Sequence, residues 1–379
     1  MGWLGALVAV GLMVLVFIDA FETMILPRRV RHGFRLARIF YRSAWIIWRA
    51  AARIIQPGRW RQAFLSIFGP LSLFALFFVW AWGLMISFAL LHWSLKTEIT
   101  GADGSFLSDL YFSGTTFFTL GYGDRVPIRP LGRALSVVEA GLGLVFLAVV
   151  ISYLPVLYQA FSRREITISL LDARAGSPPT AGELLRRLAE AKSLASVCSM
   201  LVEWERWAAE LLENHISFPV LSYYRSQHEN QSWVAALTTI LDTSALFIAG
   251  VEGPYSYQAR LTFAMARHAA VDLTLVFRTP QPRRQECRLS DADFARLWQR
   301  LREAGLELRE APAAEKPLAQ LRALYEPFMV ALSGHFLFAV PPFLTEKPTV
   351  DNWQTSPWMP RSPDLGGLPA ARSADDHFD

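Results

Sequence analysis

The chain has 379 residues, a formal net charge of +4 and a hydrophobic fraction of 53%. Its long apolar runs lie within the first 161 residues, so a wholly soluble protein is excluded and a membrane half followed by a soluble half is expected. The two cysteines, Cys198 and Cys287, show no metal-binding or redox spacing, and we expect both to be free thiols.

Residues 1–27 are predicted to form an N-terminal transmembrane helix. The segment is apolar except for Asp19, Glu22 and Thr23, and at ~1.5 Å per residue it can cross a ~30 Å hydrocarbon core. It has neither the basic start nor the cleavage site of a signal peptide, so we expect it to be retained. Asp19 and Glu22 share one helix face, and we expect them to pair with nearby arginines rather than to take part in gating.

Residues 28–62 are predicted to form an Arg-rich amphipathic helix at the cytoplasmic membrane interface. Ten arginines and no acidic residue occur between positions 28 and 61, which favours contact with anionic lipid headgroups. At helical spacing, an arginine stripe lies opposite an apolar stripe. The first consists of Arg35, Arg38, Arg42, Arg49 and Arg53, and the second of Phe40, Ala44, Ile47, Trp48, Ala51 and Ile55.

A voltage sensor is the alternative interpretation of these arginines. A sensor needs neighbouring helices to shield its charges, and only one helix precedes this segment, so the interfacial helix is favoured. The positive-inside rule then places the arginines and the C-terminal domain in the cytoplasm and the N-terminus outside. We expect a multi-pass protein of the inner (plasma) membrane.

Residues 63–161 are predicted to form a pore domain. Two long uncharged runs flank a short apolar segment, residues 106–118, which is too short to cross a bilayer. The motif T-L-G-Y-G-D follows at residues 119–124. An outer helix, a half-length pore helix, a filter and an inner helix are typical of tetrameric cation channels. The chain resembles bacterial potassium channels with two pore-forming helices per subunit.

The predicted ion-binding residues are Thr119, Leu120, Gly121, Tyr122 and Gly123. A dehydrated K+ needs a shell of oxygens, which backbone carbonyls supply without net charge. Successive carbonyls can face one lumen only if alternate residues adopt backbone angles that glycine reaches at little cost, hence Gly121 and Gly123. We expect Leu120 and Tyr122 to pack against the pore helix, and Asp124 to raise the cation concentration at the outer mouth. Four copies are required, because one chain supplies one filter strand.

The residues around the filter depart from the pattern that the resemblance implies. Tyr111 and Phe112 stand where the family often has tryptophans that brace the filter, and Phe118 replaces a small residue. Thr115 replaces the acid that pairs with the filter aspartate in some members. Glu139 on the inner helix is the predicted substitute polar anchor, with satisfaction by hydroxyls at a subunit interface as the alternative.

The inner helix is predicted over about residues 131–161. Gly143 corresponds to the hinge glycine of the resembled family, and Pro155 removes a helix hydrogen bond and favours a kink. Gly141 is the second candidate hinge position, although packing by small residues accounts for at least one of the two glycines. The predicted cavity-lining residues are Leu144, Leu147 and Ile151.

Residues 162–340 are predicted to form an all-α cytoplasmic domain, followed by a disordered tail over residues 341–379. An apolar stretch at residues 234–251 is interrupted by hydroxyl residues and Asp242, which favours a buried core helix over a fourth span. A polar and aromatic cluster indicates either core packing or a pocket for an unidentified ligand. It comprises His215, Tyr223, Tyr224, Arg225, His228 and Trp233.

The sequence therefore predicts an all-α membrane protein. It would combine a tetrameric potassium-channel pore fold with an additional N-terminal transmembrane helix and an all-α cytoplasmic domain. The expected function is passive, potassium-selective transport by a homotetramer with a regulatory cytoplasmic domain. No enzymatic activity, nucleic-acid partner or cofactor is expected, and K+ at the filter carbonyls is the one expected metal. A weakly selective monovalent cation channel and a membrane-tethered sensor or scaffold with a vestigial pore are the alternatives.

Overall fold

A computed structural model describes residues 2–25, 35–228, 230–282 and 287–345. These residues form helices joined by turns, and within them no β-strand is present beyond two isolated bridges. The predicted all-α membrane class is thereby confirmed. The chain divides into two compact units, Met1–Gln159 and Ala160–Asp379, which are described separately.

The first unit is built from long apolar helices. Among the helices of the described residues, three are long and apolar enough to cross a membrane: α1, α3 and α5. The bounds are α1 Gly2–Met24, α2 Leu36–Ile54, α3 Arg59–Leu95, α4 Phe106–Phe117 and α5 Pro130–Ala175. The inner helix α5 thus runs past the predicted end at residue 161, with Pro155 inside it.

Asp19 joins the first three helices at one end of α1. Its carboxylate accepts hydrogen bonds from Trp80 Nε1 on α3 at 2.8 Å and from the backbone N–H of Ala37 on α2 at 3.0 Å. Glu22, one turn away, accepts from Arg35 Nε at 3.1 Å. The predicted pairing with arginine therefore applies to Glu22, whereas an indole and a helix N-terminus satisfy Asp19.

The helix α2 packs on α3 through its tryptophans. Trp48 stacks on Phe64 at 4.4 Å between ring centroids, and Trp45 meets Phe68 edge-on at 4.9 Å. The predicted apolar stripe is thus divided, because Trp48 faces α3 while Ile47 is exposed. Further exposed side chains of α2 are Arg38, Ile39, Arg42, Ile46, Arg53 and Ile54. Residues 28–34 of the predicted Arg-rich segment lie outside the described residues.

The second unit surrounds a buried central helix. Its helices are α6 Ala181–Glu190, α7 Val197–Ser217, α8 Trp233–Ala249, α9 Ser256–Phe277, α10 Asp291–Glu303, α11 Ala311–Ala323 and α12 Glu326–Phe336. Every residue of α8 except Ile248 is buried, which supports the core-helix interpretation over a fourth span.

The acidic residue of that core helix, Asp242, is paired. Arg288 donates to its carboxylate at 2.6 Å, and the Tyr325 hydroxyl donates at 2.5 Å. The same guanidinium donates to the carbonyl of Pro341 at 2.6 Å and lies over the ring of Phe343, which is 1% exposed. The predicted disordered tail is therefore wrong for residues 341–345, because they complete this packing.

The remaining tail, residues 346–379, lies outside the described residues. The polar and aromatic cluster that suggested a ligand pocket belongs largely to the core. His215, Tyr223 and Trp233 are buried, and Arg225 donates to the carbonyls of Phe336 and Leu337 at 2.6 and 3.2 Å. These contacts favour the structural interpretation of the cluster.

His215 is enclosed by groups that disfavour its protonation. Its Nδ1–H donates to the carbonyl of Leu211 at 2.7 Å, and its Nε2 faces Nη1 of Arg164 at 3.4 Å. Burial, followed by the charge of Arg164, lowers the pKa of His215 from 6.5 to about 3. The imidazole is therefore neutral at physiological pH.

We expect His215 to make the second unit acid-labile. Between pH 6.5 and about 3 the unfolded chain binds a proton at this position and the folded chain does not. Stability conferred by the neutral imidazole is thus complete above pH 6.5 and falls by up to about 1.4 kcal/mol per pH unit as pH decreases. Thermal unfolding of the purified protein at several pH values measures this slope. His215→Gln should reduce it, whereas the exposed-site control His268→Gln should not; equal slopes would contradict the prediction.

Candidate ion pathway

The pore helix α4 precedes the filter. Its 12 residues span ~18 Å, about half of a membrane crossing. Ser105 is the N-cap, and its hydroxyl accepts from the N–H of Ser108 at 3.2 Å. The helix then ends at Phe117, immediately before the T-L-G-Y-G-D motif. The pore helix therefore lies wholly before the motif, and Phe118 alone separates its end from Thr119.

The backbone of the filter alternates in conformation. Thr119, Gly121 and Gly123 have φ values of 56°, 58° and 76°, and the intervening Leu120 and Tyr122 do not have positive φ. The left-handed region costs a residue such as Thr119 about 1–2 kcal/mol, whereas glycine reaches it at little cost. Successive carbonyls can point to one side of the strand only if the backbone alternates in this way.

The last turn of α4 holds the filter through two carbonyls, and that of Thr116 accepts from the N–H of Thr119 at 3.0 Å. The Thr115 carbonyl accepts from the N–H groups of Leu120 at 2.8 Å and Gly121 at 3.3 Å. The Thr115 hydroxyl donates to the carbonyl of Phe112 at 2.9 Å, and the Phe112 ring is buried against His92. Thr115 and Phe112, both predicted as filter support, therefore lie where the filter joins the pore helix.

Tyr111 is the partner of the filter aspartate. Its hydroxyl donates to Asp124 Oδ2 at 3.0 Å. The guanidinium of Arg125 lies 5.1 Å above the Tyr111 ring and donates to the carbonyl and the hydroxyl of Ser108. Sequence reasoning missed Arg125, although a basic residue directly after the filter aspartate is visible in the sequence. Its charge offsets that of Asp124, so the outer mouth is less acidic than expected.

Two side chains of the filter are exposed in the single chain. Leu120 is 53% exposed and Tyr122 is 69% exposed, and Phe118 before them is half exposed. The expected packing of Leu120 and Tyr122 against the pore helix did not specify the subunit, so it stays a prediction. The single chain leaves them uncovered, because α4 runs behind the filter backbone and is contacted through main-chain hydrogen bonds.

The inner helix approaches the pore helix closely at one glycine. A Cβ atom on Gly143 would lie 2.0 Å from the carbonyl oxygen of Phe117, whereas one on Gly141 would meet nothing within 4 Å. Gly143 therefore has a packing role, and its predicted role as a hinge stays a prediction. The predicted cavity-lining positions share one exposed face of α5: Leu144, Leu147, Ile151 and Pro155.

Glu139 lies behind the pore helix rather than at the filter aspartate. It is fully buried, and its Oε2 is 3.7 Å from Nε2 of His92 on α3. Ser113 on α4 also faces the carboxylate. Because Tyr111 occupies the position beside Asp124, the predicted anchoring of the filter by Glu139 would have to act through α4.

Replacement of Gly143 by alanine should destabilise the first unit. The added methyl group would collide with the Phe117 carbonyl, and the resulting helix displacement should cost about 1–3 kcal/mol. Gly141→Ala is the matched control. Alanine in place of glycine favours the helix by the same amount, about 1 kcal/mol, and its methyl group meets nothing within 4 Å. Thermal unfolding of the purified protein in detergent compares the two. Equal effects of both substitutions would show that the close approach does not limit stability.

Comparison with known proteins agrees with this architecture. Residues 73–159 match the model of a family described as "Ion channel" (Ion_trans_2). The chain is 27% identical over 221 residues to the uncharacterized membrane protein YdjJ of Bacillus subtilis (strain 168). That alignment covers 57% of this chain and 62% of the relative, so the chain spans less than two thirds of the relative's length. No solved structure matches. The protein is thus a membrane protein whose residues 73–159 resemble an ion-channel domain on an all-α scaffold.

Proposed function

We propose that this protein is a potassium-selective channel that conducts passively through a pore formed by four copies of the chain. The observation that carries the proposal is the alternating left-handed backbone at Thr119, Gly121 and Gly123. It lies within residues that match an ion-channel family, at the end of a half-length helix. Permeant K+ would bind at the carbonyls of residues 119–123, with no other cofactor, and the cytoplasmic domain would regulate conduction.

The distribution of exposed apolar surface supports assembly from several copies. In an apolar stretch of 18 residues within α5, 11% of the residues are buried. In the corresponding stretch of α3, 56% are buried. The filter residues Leu120 and Tyr122 are exposed in the single chain as well. Neighbouring subunits would cover the filter side chains and one face of α5, and the face bearing Leu144, Leu147 and Ile151 would line the cavity.

The arginines of α2 support contact with anionic lipids. Arg38, Arg42 and Arg53 are exposed beside the exposed isoleucines Ile46 and Ile47, and Trp48 anchors the helix to α3. Such a helix lies in the interface with its isoleucines towards acyl chains and its guanidinium groups among headgroups. The orientation that follows is N-terminus outside and second unit in the cytoplasm of an inner-membrane protein.

Substitution of the second filter glycine provides the test. Gly123→Ser forces a side chain into a left-handed backbone position, φ 76°, and should misalign the carbonyls. The expected result is at least about a tenfold fall in the potassium-over-sodium permeability ratio, roughly 1.4 kcal/mol of lost discrimination. Bi-ionic reversal potentials of the purified protein in planar bilayers measure this ratio.

The matched control is Gly104→Ser. Gly104 has the same φ of 76° and open space around it, but it lies in the loop before the pore helix. It should leave the permeability ratio unchanged. Equal permeabilities for both ions in the unsubstituted protein would favour the weakly selective channel. A lack of conduction in a folded, tetrameric protein would favour the sensor or scaffold.

A further inference from the structure

We propose that Glu139 and His92 form a buried proton-binding site behind the pore helix, and that its protonation controls conduction. The first half of this inference concerns proton binding alone. The second half rests on the proposed channel function. The ligand is a single proton exchanged with solvent, so no bond other than O–H or N–H forms or breaks.

Three helices contribute side chains to this site. His92 comes from α3, Ser113 from α4 and Glu139 from α5, and all three are buried. The imidazole Nε2 and the carboxylate Oε2 are 3.7 Å apart. On its other side, Nδ1 of His92 makes a 2.9 Å hydrogen bond with the hydroxyl of Thr97. The ring is therefore held in place with Nε2 directed at the carboxylate.

Four polar atoms at this site have no hydrogen-bond partner among the described residues. They are His92 Nε2, Ser113 Oγ and both carboxylate oxygens of Glu139. A buried polar group without a partner costs about 1–3 kcal/mol, and an unpaired buried charge costs more. If Nε2 carries no proton and Glu139 is ionised, two acceptors face each other. One proton placed between them removes this conflict, because it provides a donor.

Other charged groups around the site are few. On α4 the buried Asp109 faces His92, and Arg125 and Asp103 in turn face Asp109. On α1, the residues near this end of α3 are apolar, including Ala6 and Ala9. The acidic residues of α1, Asp19 and Glu22, contact Trp80 and Arg35 instead. Asp109 is therefore a further carboxylate that can modify the titration.

The position of the site links it to the filter. Glu139 lies one helical turn before Gly143 on α5, and Ser113 lies one turn before Phe117 on α4. Gly143 and Phe117 are in close contact between these two helices. Two residues after Ser113, the Thr115 carbonyl holds the N–H groups of the filter. A proton that changes the contact between Glu139 and Ser113 therefore acts on the helix that positions the filter.

Infrared spectroscopy of the purified full-length protein tests proton binding without any conduction. A protonated carboxyl group gives a C=O band, and this band should titrate with pH and shift when glutamate is isotope-labelled. The component of this band contributed by Glu139 should be missing in Glu139→Gln and retained in Glu98→Gln, a control at an exposed glutamate paired with Arg129. A band that Glu139→Gln leaves unchanged, or no titrating glutamate band, would overturn the inference.

Potassium flux from liposomes at a series of pH values tests the control of conduction. Flux through the unsubstituted protein and Glu98→Gln should change at least about tenfold across the titration. His92→Gln removes the facing nitrogen and should move the midpoint by about one pH unit or more, equivalent to roughly 1.4 kcal/mol. Glu139→Gln should flatten the profile. An unaltered profile in both Glu139→Gln and His92→Gln would overturn the inference.

The two experiments separate this inference from the proposed function. If the unsubstituted protein conducts no potassium at any pH, the channel proposal fails while the infrared titration still decides the proton site. If it conducts selectively but with a flat pH profile, the channel proposal stands and control by the proton site fails. If Glu139→Gln does not assemble, the labelled spectrum of the unsubstituted protein tests proton binding, and the pH profile of His92→Gln tests the control of conduction.

Discussion

The close approach of Gly143 to the Phe117 carbonyl is the contact on which the pore region depends. It sets the distance between the inner helix and the last turn of the pore helix, where the Thr115 carbonyl holds the filter. Only glycine fits there, since any Cβ would overlap the carbonyl oxygen. Because little of the apolar stretch of α5 is otherwise buried within one chain, this small contact positions that part of the helix. The remaining apolar surface of α5 requires further copies or lipid.

Side-chain interactions, rather than backbone contacts, fix the end of the filter at Asp124. There Tyr111 donates to Asp124, and Arg125 bridges from the Tyr111 ring to the start of the pore helix. A carboxylate held by a phenol and balanced by a neighbouring guanidinium keeps its orientation at a modest net charge. Backbone geometry thus secures the inner end of the filter, and a compensated pair of charges secures the outer end.

Features set by local chemistry could be predicted from the sequence. Helix lengths followed from apolar runs, and the need for glycine at positions 121 and 123 followed from backbone sterics. Contacts between distant residues could not be predicted, such as Asp19 with Trp80 or His92 with Glu139, because periodicity identifies faces but not partners.

The end of α5 was misplaced for a related reason. Arg164 lies beyond the predicted end at residue 161, and it is buried and donates to the carbonyls of Leu221 and Tyr224 at 2.8 and 3.0 Å. A buried guanidinium persists only where acceptors compensate for its lost hydration, and two carbonyls of one turn do so here. Displacing that turn would remove these two acceptors and leave the buried guanidinium with the carboxylate of Glu165, to which its Nε donates at 2.9 Å. This guanidinium therefore connects the C-terminal part of α5 to residues 221–224 within the second unit.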